Sequence, residues 1–132
     1  MGVYSGISQD NVTINSGRAT LSTLTVTGGV RLPVSAVTAV GSAQSDAAAL
    51  SEGLNVVADA NGTKGVRLPT AVAGAVVIVK NTAAGALKIY PASGAAINAV
   101  TADGAYSITN LTSTMLVASS ATQWYSVPLV AS

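Results

Sequence analysis

Residues that could do chemistry are few in this chain of 132 residues. It has five carboxylates, six Lys and Arg residues together, and no His or Cys. Asp46 and Glu52 are six positions apart, and two carboxyl groups can serve glycoside hydrolysis only where the fold sets their separation. A Ser–Lys pair could supply a nucleophile and its base without His. Because acids, bases and nucleophiles come mostly from the residue types that are scarce here, we expect no enzyme and no catalytic, cofactor-binding or metal-binding residues.

Loops that could hold a nucleotide or an ion are incomplete. Thr27-Gly28-Gly29 lacks the Lys and the following helix that a phosphate-binding loop requires. Residues 59–61 and Asp103-Gly104 offer oxygen ligands but not the repeated acidic residues of a calcium loop, so the sequence favours turns there. The basic residues are well separated and the net charge is +1, whereas a nucleic-acid-binding protein would cluster them. We therefore expect no nucleic-acid partner.

The overall composition suits packed β-structure. Hydrophobic residues make up 49% of the chain, but aromatic residues only 4%, so the core must be filled largely by Ala and Val. Since these small side chains each bury less apolar area than Leu or Phe, association with other chains would add much to stability. The composition therefore favours an oligomer.

No segment has the features of a membrane span or a leader. The longest apolar run, residues 71–79, has nine residues, whereas a membrane helix needs about 20. Residues 1–11 have neither the basic nor the apolar section of a signal peptide. We therefore expect no membrane partner and synthesis in the cytoplasm.

Short apolar runs separated by polar turns follow one another from residue 54 onward. Asn61-Gly62 and Asp103-Gly104 are typical of tight hairpins, and regularly spaced short strands are typical of sandwiches and barrels. Residues 45–53 are the one candidate helix, with Ser45 as its cap and Gly53 as its end. The sequence predicts an all-β fold, an antiparallel β-sandwich or barrel of short strands with at most one short helix. The predicted strands are residues 55–59, 66–68, 75–80, 87–90, 96–100, 105–109, 114–118 and 123–127. The near-continuous apolar run at residues 75–80 indicates a strand that is covered on both faces.

Residues 1–28 are predicted to form an extended N-terminal arm, and residues 29–132 the β-domain. Asn15-Ser16-Gly17-Arg18 indicates a turn between two strand-like runs, and the alternative to an arm is a first hairpin of the main sheet. A two-stranded ribbon is marginal alone in water, so it must lie on its own body, on a sister chain or on another protein. The candidate contact residues here are Tyr4, Val12, Ile14, Arg18, Leu21 and Leu24.

A pentapeptide occurs twice, as Gly29-Val30-Arg31-Leu32-Pro33 and as Gly65-Val66-Arg67-Leu68-Pro69, with an offset of 36 residues. Its pattern predicts the end of a strand, with Val and Leu on one face, Arg on the other, and Pro stopping the pairing. One hypothesis is a repeated attachment element in which Arg31 and Arg67 each meet a carboxylate of a partner. The alternative is a recurrent strand terminus with a solvated Arg.

The neighbouring aromatic residues Trp124 and Tyr125 lie in the last predicted strand, so they point to opposite faces. We expect Trp124 to fill the core and Tyr125 to be partly exposed, where it could serve at an interface or a glycan-binding surface. Tyr125 is therefore a further candidate contact residue.

Four segments of the predicted β-domain have a recognisable order and spacing, namely residues 65–69, 76–81, 89–98 and 121–125. Together they resemble a β-rich module of small structural proteins in tailed bacteriophages, found in capsid decoration (cement) proteins and in head or tail fibre proteins. The likeness covers about residues 36–128. The stretch of residues 80–98 carries most of it, because it is unlike ordinary globular sequence.

The resemblance implies a virion component without catalytic residues, present as a homotrimer or in repeated copies. The lack of heptads or a repeated shaft favours a capsid decoration protein. Such a protein is made in the bacterial host, binds the major capsid protein on the outer surface of the head and stabilises the shell. The alternatives are a tail or neck assembly protein, and a fibre or receptor- or glycan-binding module with an exposed aromatic shelf around Tyr125 or Tyr90.

Overall fold

The structure is a computed structural model that describes residues 21–127. Within this range there is no helix, and the chain forms ten strands. They are β1 (Val34–Thr38), β2 (Ala48–Ala49), β3 (Gly53–Ala58), β4 (Gly65–Arg67), β5 (Val76–Asn81), β6 (Leu87–Tyr90), β7 (Ala96–Ile97), β8 (Tyr106–Ile108), β9 (Ser113–Ala118) and β10 (Gln123–Val127).

The chain divides into two units between Val30 and Arg31. In the first unit, residues 21–30 form no strand and are all exposed. The ten strands all belong to the second unit, whose architecture is described next.

Strands β1 to β9 of the second unit alternate between two sheets, and β10 lies in the same sheet as β9. The six-stranded sheet has the order β1-β3-β5-β9-β10-β7, and the four-stranded sheet has the order β2-β4-β6-β8. Three successive coils, β1–β2, β3–β4 and β5–β6, stack with their equivalent strands in parallel. Val34 pairs with Leu54, and Leu54 with Ile78, at separations of 20 and 24 residues along the chain. The arrangement looks like a short β-solenoid, in which each coil buries its apolar face by stacking on the next.

The remaining strands cover the third coil. β8 runs antiparallel to β6, β9 antiparallel to β5, and β10 antiparallel to β9, while β7 pairs in parallel with β10. The predicted all-β class is confirmed, but five of the eight strand pairings are parallel, so the sheets are mixed instead of antiparallel. The reason lies in the turns. Asn61-Gly62 carries the chain from β3 in one sheet to β4 in the other, so it forms a corner and not a hairpin.

The predicted helix at residues 45–53 is wrong. Asp46 instead stabilises a turn at residues 42–46. Its Oδ1 accepts hydrogen bonds from the backbone N–H groups of Ser42 at 3.0 Å and Ala43 at 2.8 Å. Ala48–Ala49 then form β2, which pairs with β4. A helix of two turns is unstable without tertiary support, and here the available support is the edge of a sheet.

The repeated pentapeptide does not mark a structural repeat. Residues 65–67 form β4, whereas residues 29–33 form no strand, and β1 begins directly after the Pro33 that was predicted to end a strand. Paired positions in neighbouring coils are 18 to 24 residues apart, not 36. Val66 is in a strand because Ala48 and Ile89 pair with it on either side.

The core lies between the two sheets. Trp124 is fully buried, as predicted, and Tyr125 on the opposite face is 45% exposed. No hydrogen-bond acceptor lies within reach of the Trp124 Nε1–H among the described residues. The side chains that surround this core from both sheets are small or branched, as the composition predicts, and the fully buried ones include Val57, Val66, Val77, Val79, Leu87, Ile89, Ile97 and Leu116.

Two fully buried asparagines close corners of the coils. The Asn55 Nδ2–H donates to the Ser51 carbonyl at 2.8 Å. The Asn81 Nδ2–H donates to the carbonyls of Gly85 at 2.9 Å and Thr109 at 3.1 Å. Each side chain thus satisfies backbone groups that a corner leaves without a ladder partner, which is how buried polar groups avoid their desolvation cost.

Candidate functional site

The predicted contact residues of the arm fall into two groups. Tyr4, Val12, Ile14 and Arg18 lie outside the described residues, and their role stays a prediction. Leu21 and Leu24 are described, with exposed fractions of 60% and 71%. These two leucines are open to a partner, and their role also stays a prediction.

The two arginines of the repeated pentapeptide occupy different surroundings. Arg31 is exposed, in the irregular residues that precede β1. Arg67 ends β4 and is only partly exposed, and its Nη1–H donates to the backbone carbonyl of Gln44 at 3.2 Å. The structure therefore holds one arginine in a defined position and does not bring the two together.

A loop formed by residues 41–46 lies beside Arg67 over the outer side of the four-stranded sheet. The Tyr90 hydroxyl donates to the Ser42 carbonyl at 2.7 Å. The Gln44 Nε2–H donates to the Pro91 carbonyl at 2.9 Å and to Asp103 Oδ1 at 2.8 Å. This loop is therefore tied to the sheet and to the turn that carries Asp103.

The carboxylate of Asp103 is the acceptor of that network. Its Oδ1 receives the Gln44 side-chain N–H and the backbone N–H of Gly94, the latter at 2.7 Å. Both hydrogen bonds lower the pKa of Asp103 from its ordinary value of 3.8, and the bond from Gln44 has the larger effect. Asp103 also has a left-handed backbone, with φ of 64°, so a turn at Asp103-Gly104 is present and is built around the carboxylate. The predicted hairpin there is wrong, because β7 and β8 on either side of the turn belong to different sheets.

Tyr125 lies on the outer face of the six-stranded sheet. On this face β1, β3, β5, β9 and β10 present fifteen outward positions. We define the apolar face as the eleven apolar residues among them, all of which keep part of the side chain exposed: Val34, Ala36, Leu54, Val56, Ala58, Val76, Ile78, Met115, Val117, Tyr125 and Val127.

The strand register makes the apolar face continuous. One row crosses five strands, from Val34 through Leu54, Ile78 and Met115 to Val127. A second row joins Val76, Val117 and Tyr125. A sheet face in contact with water normally carries polar residues that alternate with the buried ones, so this face has the composition of a buried surface.

The apolar face carries almost no charge. Lys80 is the single charged residue among the fifteen outward positions, and its Nζ–H donates to the Leu111 carbonyl at the margin. The remaining positions that are not apolar are Thr38, Ser113 and Gln123. A surface of this kind can bury apolar area against another chain, and it offers few groups for polar recognition.

Other chemistry is sparse in the described part of the chain. No group of three His, Cys, Asp or Glu residues there could hold a metal ion. Lys64 and Asp59 form an exposed ion pair. Among residues 21–127, no helix has the length and apolar character needed to cross a membrane.

Comparison with known proteins adds no relative. The chain matches no protein-family model, no curated protein and no solved structure.

Sequence reasoning missed the apolar face as a site, although its signal was present. The near-continuous apolar run at residues 75–80 predicted a strand covered on both sides. The structure places Val77 and Val79 in the core but leaves Val76 and Ile78 partly exposed. Apolar residues at both the inward and the outward positions of one strand therefore indicated an interaction surface. Gln44, which anchors Arg67, has no such signal, because its partners are distant in the chain.

Proposed function

We propose that this chain is a structural virion protein of a tailed bacteriophage, which decorates the outer surface of the head as an oligomer and stabilises it. The observation that carries the proposal is the apolar face, with one charge in fifteen outward positions. In this proposal the chain is made in the bacterial host, binds the major capsid protein and further copies of itself as a homotrimer, and transforms no substrate.

The size of the apolar face supports contact with another folded chain. Five strands spaced by about 4.8 Å, with three outward positions along each strand, cover on the order of 500 Å². Three such faces meeting around a threefold axis would bury about 1,500 Å² in all, which is comparable with a specific interface of standard size. Exposed apolar patches of this extent on single chains mark interaction sites.

A further copy of the same chain is the partner that suits this face best. An almost uncharged surface gives no means of selecting an oppositely charged partner, whereas the same apolar face on neighbouring copies can cover it, with three faces meeting around a threefold axis in the proposed trimer. Apolar side chains of adjacent faces would interdigitate, as they do where sheets pack against one another within a domain. Copies joined in this way would present their remaining surfaces to the shell together.

Joining the copies would also explain how a weak contact with the shell can suffice. Once one subunit has bound, the contacts of the others become intramolecular and the overall affinity rises by about 10²–10⁴. The arm of residues 1–28 is the proposed shell contact, through main-chain hydrogen bonds to exposed strands. An oligomer of small, rigid subunits would then hold neighbouring capsid proteins together.

The surroundings of the tyrosines favour decoration over glycan binding. A glycan shelf needs an exposed aromatic ring with polar neighbours. Tyr90 is buried, with an exposed fraction of 7%, and its hydroxyl already donates a hydrogen bond to the Ser42 carbonyl. Tyr125 is exposed, but its neighbours on the same face are Val117 and Val127. Such neighbours suit contact with an apolar protein surface.

Ile78→Lys tests the proposal at the centre of the apolar face. Light scattering after gel filtration should give three chain masses for the native protein and one for the variant, because a desolvated Lys opposes packing. Val72→Lys is the matched control, since Val72 is 62% exposed and lies outside the apolar face. This control should leave the mass unchanged.

The second half of the test uses phage heads that lack decoration. The native protein should sediment with them, and Ile78→Lys should bind at least about a hundredfold more weakly, because it has lost avidity. A native protein that stays a single chain and never sediments with heads would overturn the proposal. A five-, six- or twelvefold ring would reject trimeric decoration in favour of a tail or neck role.

A further inference from the structure

A second surface feature, on the other sheet, lies around Arg67. A cleft of about 370 Å³ opens on the outer side of the four-stranded sheet, at the end of β4. Its polar wall is formed by Gln44, Arg67, Thr70 and Ser93, and apolar residues complete it. No acidic residue lines this cleft. It is therefore a positively charged, half-open site of the size that takes small ligands or single side chains.

The guanidinium of Arg67 is positioned by one hydrogen bond, and most of its N–H groups have no acceptor among the described residues. Of its five N–H donors, one is found in a hydrogen bond, that from Nη1 to the Gln44 carbonyl. Within residues 21–127, the ion pair that the structure shows joins Lys64 and Asp59, not Arg67. The hydroxyls of Thr70 and Ser93 border the same space. Several donors thus face one cleft without an acceptor from the described residues.

The anchor of Arg67 is itself fixed. Gln44 is held by two side-chain hydrogen bonds, to Pro91 and to Asp103, and Asp103 is held in turn by the backbone of Gly94. Asp103 contacts Gln44 through Oδ1 and does not neutralise Arg67. Binding to a group held in this way costs little ordering entropy, which is the advantage of a preorganised site.

We propose that this cleft binds a carboxylate, with the Arg67 guanidinium as the charged partner and the hydroxyls of Thr70 and Ser93 as additional donors. Arginine is the residue best suited to this, because its planar fork donates two parallel hydrogen bonds to one carboxylate. The carboxylate can belong to an acidic side chain of a protein or to a free small acid. The proposal concerns the isolated chain and stands apart from its attachment to a phage head.

The repeated pentapeptide supplies an internal control. Arg31 has the same four neighbours in sequence as Arg67, but it is exposed and lines no part of the cleft. A response caused by charge alone would affect both arginines, whereas binding in the cleft would affect Arg67.

Nuclear magnetic resonance of the full-length, ¹⁵N-labelled protein tests the proposal through the arginine Nε–Hε signals. Sodium acetate and, separately, the peptide acetyl-Gly-Glu-Gly-amide replace sodium chloride at constant ionic strength. The Arg67 signal and the amides of Thr70 and Ser93 should shift and saturate, while the Arg31 signal should not. Tighter binding of the peptide would assign the carboxylate to a protein, and equal binding would assign it to a free acid.

Variants complete the test. Arg67→Gln should weaken acetate binding by about tenfold or more, because it removes a charge-assisted hydrogen-bonded pair. Arg67→Lys should give an intermediate affinity, and Arg31→Gln should change nothing. Equal, unsaturated shifts of Arg31 and Arg67 would overturn the proposal. Tighter binding of inorganic phosphate than of either carboxylate would also overturn it.

Discussion

The ring of Tyr90 lies against Gly65, in the space that a side chain at that position would fill. A Cβ on Gly65 would be 2.7 Å from Tyr90 Cε2 and 3.2 Å from the Lys88 carbonyl oxygen. The ring cannot move freely, because it is buried and its hydroxyl is bonded to Ser42. This contact joins β4, β6 and the loop that holds Arg67.

Gly65→Ala is therefore expected to destabilise the protein by about 1–3 kcal/mol, the usual range for overpacking. The matched control is Gly29→Ala in the identical pentapeptide, where a Cβ would meet nothing within 4 Å. Urea unfolding followed by circular dichroism, at one protein concentration for all variants, measures both. Equal stability of the two variants would show that Tyr90 does not need the space at Gly65.

Trp124 is the largest fully buried side chain, and its removal should be costly. Trp124→Ala should lower the free energy of unfolding by about 3–5 kcal/mol, because it leaves a large cavity. Trp124→Phe should lower it by less, since Phe fills much of the space and removes an N–H that lacks an acceptor among the described residues. A loss below about 1 kcal/mol for the alanine variant would contradict the burial of the ring.

The positions of the strands after residue 54 could largely be predicted from the sequence, but β1, β2 and the way the strands pair could not. The predicted bounds of β6 and β10 agree with the structure, because alternation and turn residues are local signals. β2 has two residues, and it forms because Val66 and Arg67 of the next coil are placed beside it. The two alanines Ala48 and Ala49 show no alternation of apolar and polar residues that would predict a strand there. Parallel stacking depends on contacts between coils, and the turns gave no sign of it.

The candidate sites were predictable to a similar extent. The exposure of Tyr125 followed from strand alternation, and the apolar run before Lys80 indicated that both sides of β5 would be covered. Neither pattern could show that the outward rows of five strands would align into one face. For Arg67 the pentapeptide drew attention to the residue, but Gln44 and Asp103 became its neighbours through folding alone.

Asp103 should make the stability depend on pH. Its pKa is lowered in the folded protein by the hydrogen bonds from Gln44 and Gly94, so the folded state binds its proton less readily than the unfolded state does. The stability that Asp103 adds to the folded state is fully present when the pH is above the ordinary pKa of 3.8. It is lost as the pH falls through the lowered pKa of the folded state.

Asp103→Asn isolates this contribution. Asn keeps an oxygen that can accept both hydrogen bonds and tolerates the left-handed backbone, but it does not titrate. Urea midpoints measured from pH 7 down to about pH 2 should show the native protein more stable than the variant at neutral pH. The two curves should converge in acid. Parallel curves over the whole range would contradict the assignment of the lowered pKa to Asp103.

Deletion of residues 2–28 should separate self-association from attachment to the shell. The ten strands and the apolar face lie beyond this segment, so the shortened chain should keep its circular dichroism spectrum and the mass of the native oligomer. It should no longer sediment with undecorated phage heads, because main-chain pairing by the arm is the proposed shell contact. If the shortened protein decorates heads as well as the full chain does, the arm is not the attachment element, and the outer side of the four-stranded sheet around Arg67 becomes the surface to test.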